Sequence, residues 1–183
     1  MRIKKWQLIL ILIGFFVGVI FSPTVPDDEL LDRIDVELKK YPAHFRKAQF
    51  AILIDYDSPV FRKRLWVVDL KSRRTLLNAH VSHAYKSGLL WATEFSNEPE
   101  SKISSKGVFK TLNAYKSQFG EGEYQIGMRI QGLEPGINDN VFQRNIVFHS
   151  HHSPWSEGCF MTLPSINKEI IDLTRDGNLL IVR

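Results

Sequence analysis

From Ala51 onward the chain is written in short extended runs. AILIDY (51–56), RLWVVDL (64–70), TLLNAHVSHA (75–84), GVFKTLNAY (107–115), YQIGMRIQGL (124–133), NIVFH (145–149) and NLLIVR (178–183) are rich in β-branched and aromatic residues. Such side chains suit a pleated, half-buried surface. Several runs alternate: Tyr124, Ile126, Met128 and Ile130 fall on one side of an extended strand, Gln125 and Arg129 on the other. Lys71 to Arg74 reads as a hairpin turn between the second and third runs. Two helical patterns frame this series. Asp27 and Asp28 stand ready to cap a helix carrying Leu30, Leu31, Ile34, Val36 and Leu38, with Pro42 to stop it. PSINKEIIDLTRDGN predicts a late helix with Ser165 as N-cap and Gly177 at its end. The sum is a mainly β domain with one or two peripheral helices.

The N-terminus has a different composition. MRIKKWQLILILIGFFVGVIFSP opens on a short cationic flank and continues as an uncharged apolar run from Trp6 to about Phe21. At 1.5 Å per residue that run is near the lower limit for a hydrocarbon layer roughly 30 Å thick. No pair of small residues precedes a suitable cleavage point, so an uncleaved anchor helix is favoured over a removed signal. The cationic flank stays inside and the remainder is exported. The organisation expected is a signal anchor over residues 1–22, a helical stalk over 23–49 and the mainly β domain over 50–183. Arg2, Lys4 and Lys5 supply three of the 24 basic residues, leaving 21 against 20 acidic from residue 23 on. A near-neutral exported part gives no support to nucleic-acid binding.

Export gives meaning to NIVFHSHHSPWSEGCFMTLP (145–164), which holds three of the six histidines and the only cysteine. Cysteines in oxidising compartments usually pair, so a lone one is buried and inert, an intermolecular link, or a working thiol. The nucleophile is the thiolate, and a thiol of ordinary pKa is only a few per cent ionised at neutral pH. Cys159 therefore needs a base, and His149 ends an apolar strand that fixes its ring. Gly158 lets the backbone turn tightly, so that N–H groups around Cys159 can face a developing oxyanion. Ser156 can hydrogen-bond within the same turn. A zinc site from His149, His151, His152 and Cys159 is the rival reading, although adjacent His151 and His152 on an extended segment point to opposite sides.

In order along the chain, LIDYDSP, RLWVVDL, VSHAYKSG, ATEFSN, ISSKGVFKT, MRIQGLEPGINDN, RNIVFH and SEGC resemble the L,D-transpeptidase catalytic (YkuD-like) domain family, in its murein L,D-transpeptidase branch. The resemblance runs from about Ala51 to Pro164. It implies an L,D-transpeptidase-like β-sandwich with Cys159 as nucleophile, His149 as its base, the Ser150 carbonyl orienting the imidazole, and the backbone at Gly158 and Cys159 as oxyanion hole. It further implies a peptidoglycan tetrapeptide stem as substrate, attacked at the diaminopimelate carbonyl with release of D-alanine and held as a thioester. An amine then yields a cross-link, or water yields carboxypeptidase activity. No cofactor or resident metal is implied. The protein is expected to be a monomer in the inner membrane with its domain in the periplasm, or free in the periplasm if the signal is removed.

Other residues carry two readings each. His83 lines the donor-stem groove or is a surface histidine. Arg129 meets a stem carboxylate or is a solvated strand charge. Trp155 closes a pocket beside the nucleophile or packs its loop, and Ser156 joins the substrate-binding set. His151 and His152 are loop residues near the mouth. The Asn138-Asp139-Asn140 run matches the branch and also reads as turn chemistry. Phe160 and Met161, where the branch has proline and alanine, leave a non-catalytic wall-binding module as the alternative to an enzyme.

Overall fold

The computed structural model describes residues 23–183, so the expected anchor lies outside the described residues. Helix α1 spans Asp28–Lys40. The Asp27 carboxylate caps it, accepting from the Leu30 N–H at 2.9 Å. Acidic residues in its first turn and Lys39 and Lys40 in its last complement the helix dipole. Leu30 and Ile34, four residues apart on one face, are fully buried. The segment expected as a stalk thus lies on the domain: Leu30 and Ile34 pack against Ala51, Leu53, Trp66, Val68, Leu179 and Ile181.

Ten strands follow. They are β1 Phe50–Ile54, β2 Leu65–Asp69, β3 Thr75–Ala79, β4 His83–Ala84, β5 Gly107–Lys116, β6 Ile126–Gly132, β7 Val147–Ser150, β8 Trp155–Ser156, β9 Phe160–Thr162 and β10 Leu179–Val182. Eight hydrogen-bond into one sheet, ordered β3-β2-β1-β10-β5-β6-β7-β9, while β4 and β8 form a separate parallel pair. β10 inserts between β1, which it meets in parallel, and β5, which it meets antiparallel. Both faces of β1 and β10 are covered, which is why FAILI and LLIV are almost uninterrupted apolar runs.

Alternation sends Ala51 and Leu53 toward α1 and sends Ile52 and Ile54 into a larger second core. That core gathers Leu65, Phe109, Met128, Phe148 and Phe160 with Ile170 and Ile171 of helix α2, Pro164–Thr174. The ladder puts β1 five strands from β9, about 24 Å along a flat sheet. Yet the Tyr56 ring just beyond β1 stacks 6.5 Å from Phe160 of β9. The sheet therefore curls around this core, and the expected sandwich takes the form of one curled sheet in place of two separate ones.

Helix α2 starts earlier than the sequence suggests. Leu163 is the cap residue, without a side-chain bond, and Pro164 occupies the first turn, where its fixed φ is already helical. Ser165 is inside the helix. The chain leaves α2 through left-handed Asp176 and Gly177, φ 68° and 105°.

Candidate active site

The site is built on the neighbouring parallel strands β7 and β9, with Phe148 opposite Phe160, His149 opposite Met161 and Ser150 opposite Thr162. Phe148 and Phe160 enter the core, so His149 and Met161 face the other way. Val147 and Cys159, one position back on each strand, share that outward face. Cys159 and His149 are then diagonal neighbours, with Cα atoms on the order of 7–8 Å apart, close enough for a thiol and an imidazole to meet. Arg129 pairs with Val147 and carries the row onto β6. Tyr115, opposite Gly127, carries it onto β5.

This face floors a cavity of about 680 Å³. Tyr85, Phe119 and Trp155 stand around it, and Lys116, His151 and Glu157 bring charged or titratable groups to its wall. Arg129 lies over the Tyr115 and Phe142 rings, 5.1 and 5.6 Å from their centroids. The guanidinium is thus held by aromatic faces beside the reactive groups.

His149 is buried and its orientation is fixed twice. Nδ1 lies 3.1 Å from the Ser150 carbonyl, which can only accept, so Nδ1 carries the proton and Nε2 presents a lone pair. Phe119 stacks on the ring at 4.2 Å between centroids. Burial pulls the imidazole below its ordinary pKa, with the Ser150 bond acting the other way. Burial likewise pushes the Cys159 thiol up, opposed by the Val147 N–H and by the positive charge of Arg144. The resting pair is a neutral thiol beside a neutral imidazole. At rest the thiol points to the Asn145 carbonyl, 3.7 Å away.

Cys159 leaves a turn that only glycine accommodates well. Gly158 has φ +126°, and a Cβ there would lie 2.7 Å from Ile146 Cδ1. Gly158→Ala is therefore expected to cost about 1–3 kcal/mol and to displace the Cys159 thiol. Thermal unfolding checks the first effect and the rate of Cys159 alkylation the second. The Gly158 N–H donates to Ser156 Oγ at 3.1 Å. Behind the cysteine, Ser82 Oγ donates to the Cys159 carbonyl at 3.2 Å and accepts from the Met161 N–H at 3.0 Å. Tyr56 donates to the Ser82 carbonyl at 2.9 Å.

A family model described as the L,D-transpeptidase catalytic domain matches residues 29–182. The chain belongs to that family. No curated protein matches it. Among solved structures, the helical cell shape determining protein Pgp2 of Campylobacter jejuni aligns with TM-score 0.51 and 10% identity, over 76% of this chain and 48% of that one. An L,D-transpeptidase of Stackebrandtia nassauensis aligns with TM-score 0.47 and 16% identity, over 75% and 56%. One from Mycobacterium smegmatis aligns with TM-score 0.47 and 13% identity, over 74% and 59%. The chain spans about half to three-fifths of the length of these proteins.

The L,D-transpeptidase domain brings Cys159, His149, Ser150, Gly158, Ser156, Arg129 and Trp155 to one place, and leaves His83 out of it. His83 is fully buried. Its Nδ1 accepts from Arg64 Nη2 and its Nε2–H donates to the Gly88 carbonyl, both at 2.8 Å. It therefore cannot line a groove; with both nitrogens engaged it fixes the turn at 85–88 that carries Tyr85. Arg64, whose pKa burial pulls down to about 10, holds the Val81 and Ser58 carbonyls.

Ser156 is buried with its hydroxyl turned to Gly158, so its part is to shape the turn more than to meet a substrate. Trp155 lines the cavity and donates its indole N–H to the Leu89 carbonyl at 2.8 Å. The Asn138-Asp139-Asn140 run both shapes its turn and ties it down: Asn138 and Asp139 accept from the Glu134 and Gly136 N–H groups, Asn138 donates to the Lys106 and Val108 carbonyls, and Asp139 and Asn140 bind Asn97. Among the described residues no group of three or more His, Cys, Asp or Glu side chains is placed to hold a metal ion.

The sequence reading passed over Ser82, Tyr115, Phe119 and Asn145. Phe119 carried a faint signal as an aromatic residue in the polar segment SQFGEG. Ser82 carried none, because its contact with Cys159 spans 77 residues.

Proposed function

We propose that this protein is a peptidoglycan L,D-transpeptidase working through Cys159. One observation carries the reading: His149 is locked with its proton on Nδ1, leaving the Nε2 lone pair on the face it shares with Cys159. As the stem's diaminopimelate carbonyl reaches the thiol, Nε2 takes the sulfur's proton while the S–C bond forms. Collapse of the tetrahedral intermediate breaks the C–N bond, and His149 returns the proton to the departing D-alanine amine. The backbone N–H of Cys159 faces the developing oxyanion. The Gly158 N–H must first release Ser156 Oγ to join it. An acceptor amine then attacks the thioester and His149 takes its proton; the C–S bond breaks and His149 returns that proton to the departing sulfur, giving a cross-link and the free thiol, and water in place of the amine gives a tripeptide.

Arg129 and Lys116 on the cavity lining suit a stem peptide rich in carboxylates. The cationic flank and apolar run of residues 1–22 support anchoring in the inner membrane with the domain in the periplasm. A single cysteine with no internal partner suits a working thiol there. We take the enzyme to act as a monomer.

The test is mass spectrometry of tetrapeptide muropeptides after incubation with the purified full chain and with Cys159→Ala. Cysteine-dependent dimers are expected. Tripeptides without dimers would make it a carboxypeptidase. No turnover by folded wild-type protein would reject the proposal in favour of a wall-binding module.

A further inference from the structure

Arg144 is one residue before Asn145, whose carbonyl receives the Cys159 thiol, and five before His149. Its guanidinium reaches under the SEGC turn, where Nη2 would lie 3.7 Å from a Cβ on Gly158. Four bonds hold it. Nη1 donates to the Ser96 carbonyl and to Ser105 Oγ; Nη2 donates to Ser101 Oγ at 3.1 Å and to the Ile103 carbonyl at 2.6 Å. All four acceptors are neutral, and no ion pair with Arg144 occurs within 4.0 Å among the described residues. A half-buried guanidinium bonded only to carbonyls and hydroxyls keeps its charge, and Glu98, the carboxylate that acts on it, stays outside ion-pair distance.

We infer that Arg144 is the fixed counter-charge of the Cys159 thiolate, a positioning residue that lowers the cost of ionising the nucleophile without touching the substrate. The inference rests on Cys159 being the nucleophile. The geometry separates two tasks: His149 accepts the proton from the open side of the turn, and Arg144 supplies permanent positive charge from beneath it. A guanidinium suits this because it stays ionised when partly buried and its planar fork fixes its position. Burial lowers its pKa, and proximity to Cys159 and then to Glu98 raises it.

The other charged or titratable groups facing the thiol act differently. His149 and Tyr115 are neutral at pH 7, with burial pulling the first down and pushing the second up. Tyr56, packed behind the turn, is held neutral by burial. Glu157, on the same turn, opposes ionisation and is paired with Lys102 at 2.8 Å. Arg129 lies across the cavity floor on its aromatic supports. His151 accepts from the Ser153 N–H through Nδ1 at 2.9 Å. Arg144 thus remains the permanent cation beneath the nucleophile turn.

Cys159 is the only cysteine in the chain, so iodoacetamide alkylation of the full protein followed by mass spectrometry reports this thiol alone. Its rate against pH gives the thiol midpoint. Arg144→Gln, which keeps hydrogen-bonding capacity and loses charge, is expected to raise that midpoint by about one pH unit, a tenfold loss of thiolate at a given pH below it. Arg144→Lys is expected to restore most of the shift. An unmoved midpoint in folded Arg144→Gln, or an equal rise in Arg144→Lys, would overturn the inference. Should Arg144→Gln fail to fold, Arg144→Lys decides alone: a rise of a full unit overturns it, and a midpoint within a few tenths of wild type supports it. Alkylation needs no peptidoglycan, so a wild-type protein that fails to turn over muropeptides while showing these shifts loses the proposed function and keeps this inference.

Discussion

His149→Ala is expected to slow acylation of Cys159 by about 10²–10⁴-fold at neutral pH, the usual contribution of a positioned general base. The pH profile gives the sharper outcome. In the wild type the imidazole must be neutral to accept the proton, and burial sets its pKa below the ordinary histidine value. The rate should therefore rise with pH through a midpoint below that value and then level off. In the variant this acid limb disappears. The remaining rate follows thiolate fraction alone and climbs only toward the thiol pKa, which burial places above the ordinary cysteine value. Acyl-enzyme mass measured over a pH series distinguishes the two, and an acid limb surviving in His149→Ala would exclude this residue as the base.

The second large effect concerns stability. Phe160→Ala is expected to cost about 3–5 kcal/mol, the range for losing a buried phenylalanine. Phe160 is fully buried, stacked on Phe148 at 5.0 Å and set edge-on to Phe109 at 6.0 Å. For a chain of this size that corresponds to a fall in melting temperature on the order of 10 °C. Calorimetry checks it, and a change of only a degree or two would mean the aromatic stack contributes little. Reactivity should drop with stability, since the backbone that carries Phe160 into the core also carries Cys159 onto the cavity floor.

That pairing of effects explains why the site was only partly legible in the sequence. Phe160 and Met161 read there as departures that put catalysis in question. In three dimensions they are the two alternating faces of β9, one filling the aromatic core and the other opposite His149. Three residues are too few for alternation to register, and β9 exists because β7 is beside it. The same holds for β8, a two-residue strand paired with β4.

The longer elements were readable because their signals are local. Asp27 caps α1 as its spacing suggests, and the seven extended runs each contain a strand. His83 misled for the converse reason: nothing near it in sequence announces that Arg64, nineteen residues away, waits in the interior to occupy its Nδ1. The Ser150 carbonyl sits where the family resemblance implies an orienting group, and that contact is between adjacent residues. Arg144 lay inside the quoted RNIVFH motif, yet its four partners lie 39 to 48 residues upstream.

The insertion of β10 between β1 and β5 also sets the order of events during biosynthesis. Until residues 179–182 have left the ribosome, β1 and β5 have no common neighbour. One core then lacks Leu179 and Ile181 and the other Leu180 and Val182. A growing chain can close the β1-β2-β3 meander but cannot curl the sheet. Closing so many non-local pairings late makes for slow folding. Such a polypeptide gains the strand framework that carries Cys159 only once β10 has joined the sheet.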